Sequence, residues 1–339
     1  MTRPETHISI GRHKGFSTSE THRFSHKAMA TTFEIFVVHA DKQYASQAAL
    51  AAFDELDRLE AELSRFIENS DVSRINNLPA DKPLRIGLPA FECLQLSVRI
   101  YNETNGAFDI TIGSLLDCWL GEDKKTQCPS VEQLNVARQH TGSHLIELDE
   151  AQHTVKLSTS PVWIDLGGIG KGYAIDQMAG LLSDWSIDTA LVHGGYSSVL
   201  AIGAPPGGNP APDAPARCGA RGWPLTLSNP ANHKQILASI SLRDRAFSGS
   251  GLQKGPHIID PHSGRPVEDK IAAWACAANA ATADALSTAF MVMSPDDIRR
   301  YCTNHPDTLA MILVKHQKDK VNGSEVLRFG CWEENGLLK

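Results

Sequence analysis

The sequence predicts an α/β fold made of amphipathic strands and helices, arranged as one large domain or as two closely associated lobes. A strand is predicted over residues 32–38, where Phe33, Ile35 and Val37 alternate with side chains on the other face. A helix is predicted over residues 44–66, because apolar residues recur there every three or four positions. The 339 residues, 42% of them hydrophobic, suffice to bury a substantial core.

Further helices and strands follow from local signals along the chain. A helix over residues 89–104 starts with Pro89 in its first turn and ends at Asn105-Gly106, which suits a left-handed cap. Later helices are predicted over residues 173–185, 281–293 and 295–304. Further strands are predicted over residues 144–148, 154–157, 162–166, 189–192, 198–202, 236–242 and 271–276.

Two segments are predicted to lie outside regular structure. Residues 1–27 are interpreted as a disordered tail, and the Pro-, Gly- and Ala-rich residues 203–223 as a surface loop. Residues 28–335 are then expected to form a single domain.

Charge and composition exclude several classes of protein. The net charge is −7, with 32 basic and 39 acidic residues and no long basic run, which argues against a nucleic-acid-binding surface. The seven cysteines contain no CxxC pair, so neither a disulfide framework nor a zinc site is expected. No apolar run is long enough to span a bilayer, and the first 28 residues lack the apolar stretch of a signal peptide. The sequence therefore predicts a cytoplasmic location.

A glycine-rich turn after the strand at 162–166 could approach a phosphate group closely. The turn runs from Asp165 through Gly168 to Lys171 at a helix start, where backbone amides and the helix field favour anions. A Walker loop is excluded because Gly172 stands where Ser or Thr is needed, and the dinucleotide fingerprint GxGxxG is absent. An ordinary strand-to-helix turn is the alternative.

Candidate acid–base residues occur in the segment from His257 to Pro266. His257 could act as a general base on a hydroxyl, because histidine titrates near neutral pH. Asp260 could serve the same purpose or simply cap a turn before Pro261. The preceding Ser248-Gly-Ser-Gly251 is expected to be a flexible, hydroxyl-rich approach to this segment.

Two further segments carry oxygen-bearing side chains. On the helix over 281–293, Asp284, Ser287 and Thr288 share one face, which suits a hard cation such as Mg²⁺. The alternative is a helix that packs small polar residues against a neighbour. Asp109 and Thr111 are expected on one side of a short extended run.

The order of these motifs along the chain is more specific than any one of them. Together they resemble the ApbE family, the FAD:protein FMN transferases, from about residue 29 to the C-terminal region. The motifs are Met29-Ala-Thr31, Phe66 followed by Ser70 to Asn76, Gly106-Ala-Phe-Asp109, Asp165 to Gly172, Gly194-Gly195, His257-Ile-Ile-Asp-Pro261 and Ala283-Asp-x-x-x-Thr288.

The resemblance implies a two-lobed, T-fold-like α/β architecture with mixed, largely antiparallel sheets and packed helices. It also implies Mg²⁺-dependent transfer of FMN from FAD to a Thr or Ser hydroxyl of an acceptor protein, with release of AMP. By resemblance, the metal would be bound by Asp284, Thr288, the intermediate Ser287 and the carbonyl of Gly168. The family's reactive-site histidine corresponds to His257. The implied flavin contacts are Met29, Phe66, Ala107, Phe108, Asp109, Asp165, Lys171 and Ile258.

The sequence departs from the family pattern at three places. Ala30 replaces the glycine of Met-Gly-Thr, Tyr196 replaces the acid after Gly194-Gly195, and Phe247 replaces the threonine before Ser248-Gly249. A metal-dependent FAD pyrophosphatase and a non-catalytic FAD-binding protein therefore stay open as alternatives. A Rossmann oxidoreductase is disfavoured by the missing fingerprint. Relatives are often exported or lipid-anchored, and their acceptors carry a short Ser/Thr motif.

Overall fold

Antiparallel strand pairing dominates the structure, a computed structural model that describes residues 8–10, 20–119, 127–206, 222–255, 257–315 and 324–332. Within these residues the strands are β1 Ile8–Ile10, β2 Thr21–Ala28, β3 Thr31–Val38, β4 Leu84–Arg85, β5 Ile146–Asp149, β6 Thr154–Leu157, β7 Ala190–Gly194, β8 Ser198–Ile202, β9 Trp223–Asn229, β10 Asn232–Leu242, β11 Arg245–Gly251, β12 Ile259–Asp260, β13 Arg265–Pro266, β14 Lys270–Ala277, β15 Leu309–Lys315 and β16 Ser324–Phe329. The helices are α1 Lys42–Leu63, α2 Asp71–Asn76, α3 Leu88–Glu103, α4 Gly113–Trp119, α5 Val131–Gln139, α6 Gly170–Asp184, α7 Ala280–Val292 and α8 Pro295–Asn304.

The chain divides into two compact units. The first comprises residues 1–57, 171–255 and 269–339, and the second comprises residues 58–170 and 256–268. The region predicted as a single domain, 28–335, therefore contains parts of both units.

The first unit contains an eight-stranded sheet in the order β16-β15-β14-β11-β8-β7-β3-β2, in which every neighbouring pair is antiparallel. One face packs against the three-stranded sheet β1-β9-β10, and this core contains the fully buried side chains of Trp223, Phe247 and Trp274. Helix α7 lies against β8, β11 and β14. Since successive side chains of a strand point to opposite faces, Ser248 and Ser250 face α7 while Phe247 faces the core.

The second unit combines the small sheet β4-β6-β5 and the hairpin β12-β13 with helices α2 to α5. Leu115 of α4, Ala137 of α5 and Ile259 of β12 form its small apolar cluster. The indole of Trp119 donates a 2.7 Å hydrogen bond to the Gly264 carbonyl and so fixes α4 to the β12-β13 hairpin.

The mixed α/β prediction is confirmed, and the predicted helices and most predicted strands occur within a few residues of their expected limits. The left-handed end of α3 is also confirmed, with φ of 52° at Asn105 and 81° at Gly106. These elements were predictable because each carries its own apolar periodicity or cap.

The prediction that residues 1–27 form a disordered tail is wrong for the residues that the structure describes. Residues 8–10 form β1, and residues 21–28 form β2, paired with β3 from Thr21↔Val38 to Ala28↔Thr31. The segment is polar because β2 is an edge strand, and polar side chains on an edge resemble a tail in sequence. Residues 1–7 and 11–19 lie outside the described residues, as do residues 207–221 of the predicted loop 203–223.

The strand predicted over residues 162–166 is absent, although the segment is described. The Ile164 N–H donates to the Asn76 side chain, and the Asp165 N–H donates to the Ile110 carbonyl. The Trp163 carbonyl accepts from Gly113. The backbone groups of this segment therefore find hydrogen-bond partners in a side chain and in non-strand backbone, so that no neighbouring strand is needed.

The flexible approach expected at residues 248–251 was also wrong. These residues lie in β11, between β14 and β8 inside the large sheet. Their small side chains leave room for neighbours, since the Trp274 indole lies against Gly249 on one face and α7 packs on the other.

Within the described ranges, no helix is long and apolar enough to cross a membrane.

Candidate functional site

Helix α7 presents polar side chains from an otherwise apolar, buried helix. Asn279 caps its N-terminus by accepting a 2.8 Å hydrogen bond from the Thr282 N–H. Alanines, Leu286 and Phe290 supply most of its buried surface. Burial of Asp284 and Ser287 within such a helix requires polar partners, because an unpartnered polar group is costly away from water.

The Asp284 carboxylate has three donors from the first unit. Its Oδ2 accepts from the Gly172 N–H at 3.2 Å and lies 3.5 Å from the Lys171 ammonium. Its Oδ1 accepts from the Ser198 hydroxyl at 3.2 Å. Asp284 is only 2% exposed, so this carboxylate faces an assembled polar cluster and not bulk water.

Hydroxyl groups extend this cluster along α7. The Ser250 Oγ lies 2.8 Å from the Ser287 Oγ and 3.0 Å from the Thr288 Oγ1, while Ser287 donates to the Asp284 carbonyl at 2.8 Å. Ser248, which pairs in register with Ser198, faces the same side, and its buried hydroxyl has no hydrogen-bond partner among the described residues. We call Lys171, Ser198, Ser250, Asp284, Ser287 and Thr288 the Asp284 cluster.

The donor set of the Asp284 cluster fits Mg²⁺. A carboxylate and several hydroxyls are hard oxygen donors, which Mg²⁺ prefers. Among the described residues, no group of three or more His, Cys, Asp or Glu side chains could hold a metal ion. One carboxylate is too little for an all-protein cage, so water and a phosphate-bearing substrate would complete the coordination shell.

The first turns of α6 and α7 lie against each other beside this cluster. A Cβ at Gly172 would overlap the Ala280 carbonyl, so only glycine permits this approach. One turn further along α6, Asp176 accepts from the Ala280 and Ala281 N–H groups at 2.7 and 2.8 Å. Burial, and secondarily the nearby Asp284 charge, raises the pKa of Asp176 to about 6.

Met29 lies in the two-residue turn that joins β2 to β3. Met29 and Ala30 have φ of 48° and 57°, the left-handed values that a tight hairpin turn of this type requires. The adjoining Thr31 packs against Gly195 of the β7–β8 turn, where a Cβ would lie 2.6 Å from the Thr31 hydroxyl. Tyr196, half-exposed, follows in that turn.

In the second unit, Asp109 is the centre of a buried hydrogen-bond network. Its Oδ1 accepts from the Thr111 N–H at 2.9 Å, the Thr111 hydroxyl at 2.7 Å and the Ser143 hydroxyl at 2.8 Å. Its Oδ2 is buried and has no hydrogen-bond partner among the described residues. Burial raises the pKa of Asp109 despite these three donors. Residues 110–112 form a turn and not the extended run that was predicted, which is why Thr111 can fold back onto Asp109.

Four other predicted flavin contacts lie in the second unit: Asp165, Phe66, Ala107 and Phe108. Asp165 accepts from the Gly167 N–H at 2.7 Å and lies 3.5 Å from the Arg65 guanidinium. The same guanidinium lies 4.8 Å from the ring centre of Phe66, which is 80% exposed. Ala107 and Phe108, which precede Asp109 in the chain, are buried.

The predicted acid–base residues lie at the β12–β13 hairpin. His257 is exposed, and the buried Ile258 accepts through its carbonyl from the Val267 N–H at 2.9 Å. The Asp260 carboxylate accepts from the His262 and Ser263 N–H groups at 2.9 and 3.3 Å, so it caps the turn. A role for Asp260 as a base stays a prediction.

The structure brings together some of the predicted site residues. The Asp284 cluster of the first unit contains four of them: Lys171, Asp284, Ser287 and Thr288. Met29 also belongs to the first unit but lies outside this cluster. The other predicted site residues belong to the second unit: Phe66, Ala107, Phe108, Asp109, Asp165, Gly168, His257, Ile258 and Asp260. Their roles, and that of the Gly168 carbonyl, stay predictions.

Sequence reasoning missed Ser198, Ser250 and Asp176 as members or supports of the cluster. The signal for Ser250 is the hydroxyl-rich Ser-Gly-Ser-Gly segment, which the sequence predicts to be a flexible approach and not a strand. The departure at Phe247 has a structural explanation, because its side chain is fully buried in the core on the face away from Ser250.

The chain is similar in sequence to proteins of a known family. A sequence model described as the ApbE family matches residues 29–313. The chain is 26% identical to the FAD:protein FMN transferase of Klebsiella pneumoniae (strain 342), covering 80% of this chain and 78% of the relative. It is 28% identical to that of Salmonella typhimurium, covering 79% and 77%.

Solved structures show the same fold. The ApbE protein from Thermotoga maritima has a TM-score of 0.77 and 27% identity, covering 91% of this chain and 97% of that chain. The flavin transferase ApbE from Vibrio cholerae has the same TM-score and coverage at 22% identity.

Proposed function

This chain belongs to the ApbE family and is a flavin transferase, and we propose that it transfers FMN from FAD to a Ser or Thr hydroxyl of an acceptor protein. The observation that carries the proposal is the Asp284 cluster. It gathers a carboxylate, hydroxyls and the Lys171 ammonium within a sequence that matches the family over residues 29–313.

The proposed reaction breaks the phosphoanhydride bond of FAD and forms a phosphoester bond to the acceptor. The acceptor oxygen attacks the phosphorus on the FMN side of the FAD pyrophosphate. A bond forms between that phosphorus and the acceptor oxygen, and the bond to the bridging oxygen breaks. AMP leaves with the bridging oxygen, and the hydroxyl proton passes to a base.

The first unit would stabilise the charge that develops in this reaction. Mg²⁺, when bound by Asp284 and Thr288, supplies positive charge to the pyrophosphate oxygens. Lys171 adds a second positive charge at the same carboxylate. The Ser250 hydroxyl, which also contacts the Ser287 hydroxyl, holds Thr288 in place.

The second unit would contribute ligand and acceptor contacts. The buried Asp109 Oδ2 has acceptor capacity left for an N–H or O–H group of the flavin, because all three of its protein donors use Oδ1. We propose that His257, which is exposed, takes the proton from the acceptor hydroxyl.

The function is tested by incubating the purified chain with FAD, Mg²⁺ and a candidate acceptor and measuring AMP release and acceptor mass. AMP release together with an acceptor that gains the mass of FMN supports transfer. AMP release that is independent of the acceptor identifies a pyrophosphatase. No release in the presence of FAD binding identifies a carrier.

The Asp284→Ala variant tests the metal-binding residue. We expect at least a ~100-fold loss of Mg²⁺-dependent turnover, comparable to losing a major electrostatic contribution to catalysis, with the fold retained. Asp296→Ala is the matched control, because Asp296 is an exposed carboxylate on α8. Full activity of the folded Asp284→Ala variant would contradict the assignment.

A further inference from the structure

Asp176 holds the N-terminus of α7 with both carboxylate oxygens. Oδ1 accepts from the Ala280 N–H at 2.7 Å and Oδ2 accepts from the Ala281 N–H at 2.8 Å. The first N–H groups of a helix have no acceptor within the helix. Asn279 already accepts from the Thr282 N–H, so side chains satisfy the first three N–H groups of α7.

Helix α6, which carries Asp176, also contacts α7 one turn earlier, at Gly172. Gly172 precedes Asp176 by four residues, which places the two on one face of α6. The Gly172 N–H donates to the Asp284 Oδ2 at 3.2 Å, and the absence of a Cβ lets its backbone meet the Ala280 carbonyl. Helix α6 therefore contacts α7 at two points. Together these contacts fix the position of α7 along its axis and its rotation about that axis.

The electrostatic environment distinguishes Asp176 from an ordinary helix cap. A second carboxylate, Asp284, lies near enough to raise its pKa further beyond the effect of burial. Two carboxylates gathered in a buried region repel each other, and an added cation relieves this repulsion. Loss of the Asp176 charge and loss of its two hydrogen bonds should therefore weaken cation binding in the same direction.

We propose that Asp176 is a positioning residue for the cation, holding α7 so that Asp284 and Thr288 present their oxygens together. This proposal rests on the Mg²⁺-dependent function proposed above. In other metal sites, residues that orient the metal ligands without binding the metal lower its affinity by about 10- to 100-fold when they are mutated. The proposal assigns this role to Asp176.

In the experiment, Mg²⁺ is titrated into the full chain in the presence of FAD and without acceptor. Binding is measured by calorimetry and by the Mg²⁺-dependent rise in melting temperature. In Asp176→Asn the amide nitrogen cannot accept, so one N–H of α7 loses its partner. We expect Mg²⁺ affinity to fall by at least about tenfold. Asp176→Glu keeps the charge but displaces it by one methylene, and we expect a smaller fall.

Asp71→Asn is the matched control. Asp71 is also a buried carboxylate that accepts from a backbone N–H at a helix start, the Gly87 N–H at 2.7 Å, but it belongs to the second unit. We expect Asp71→Asn to lower the melting temperature and to leave Mg²⁺ affinity unchanged, as a purely structural role would.

Wild-type Mg²⁺ affinity in either folded Asp176 variant would overturn the proposal, as would an equal loss in Asp71→Asn. If Asp176→Asn does not fold, Asp176→Glu decides the question. Absence of Mg²⁺ binding by the wild-type chain would instead refute the metal in the proposed function, so the two failures are distinguishable.

Discussion

The Lys171 ammonium lies 3.5 Å from Oδ2 of Asp284, although 113 residues separate them in the chain. The same carboxylate oxygen accepts from the Gly172 N–H. The start of α6 thus delivers both a positive charge and a backbone donor to one oxygen of α7. A divalent cation that binds Asp284 would share this oxygen with Lys171 or displace the ammonium from it.

Lys171→Met is expected to raise Mg²⁺ affinity and to lower FAD affinity. Even in a water-like environment, removing a positive charge about 5 Å from a divalent ion relieves a repulsion of about 1 to 2 kcal/mol, so at the buried Asp284 the gain in Mg²⁺ affinity should be at least roughly tenfold. The FAD phosphates lose their attraction to the same positive charge, so FAD affinity falls. Calorimetric titrations of Mg²⁺ alone and of FAD alone measure the two effects. A fall in Mg²⁺ affinity would show that Lys171 instead positions Asp284.

Gly172→Ala is expected to destabilise the chain by about 1 to 3 kcal/mol, the usual cost of overpacking. The new methyl group would overlap the Ala280 carbonyl, which is backbone and cannot rotate away. Gly180→Ala on the same helix meets nothing within 4 Å and should stabilise it by about 1 kcal/mol. Urea unfolding of both variants measures the difference, and equal effects would contradict the close contact between α6 and α7.

Ala30→Gly is expected to stabilise the chain by about 0.5 to 1 kcal/mol. At a φ of 57° the alanine Cβ is strained, and glycine removes this strain at a smaller entropic cost. Ala51→Gly within α1 is the control and should cost about 1 kcal/mol. Melting temperatures compare the two. A loss of stability in Ala30→Gly would mean that the turn is not strained.

The stability of the chain should depend on pH through Asp176. The pKa of Asp176 is about 6 in the folded chain and 3.8 ordinarily, so between these values the folded state binds a proton that the unfolded state does not. This contribution to stability is complete below pH 3.8 and is lost as the pH rises through 6. The loss is about 2 to 3 kcal/mol, at about 1.4 kcal/mol per pKa unit.

Comparison with Asp176→Asn isolates this effect, because other titrating groups such as Asp109 contribute to both proteins. Urea unfolding, monitored by tryptophan fluorescence to which the buried Trp223 and Trp274 contribute, is measured at pH 4.5, 5.5 and 7. We expect the wild-type stability, relative to the variant, to decrease across this range. A constant difference would place the folded pKa of Asp176 near its ordinary value.

Sequence patterns predicted those elements whose signal is local. Helices α3 and α8 carry a proline at their start, and α3 ends in a left-handed cap, so their limits could be placed closely. The polar edge strand β2 and the Ser/Gly-rich β11 have no such signal. Both are strands because of the partners beside them, β3 in one case and β8 and β14 in the other.

The sequence by itself determined the α/β class, the family and the shared face of Asp284, Ser287 and Thr288, because helical spacing and motif order can be read along the chain. Only the tertiary structure decided what meets that face. Ser250, Ser198 and Asp176 reach α7 or its cluster across 37, 86 and 104 residues. Hydrogen bonds over such separations depend on sheet register and helix packing, which local periodicity does not specify.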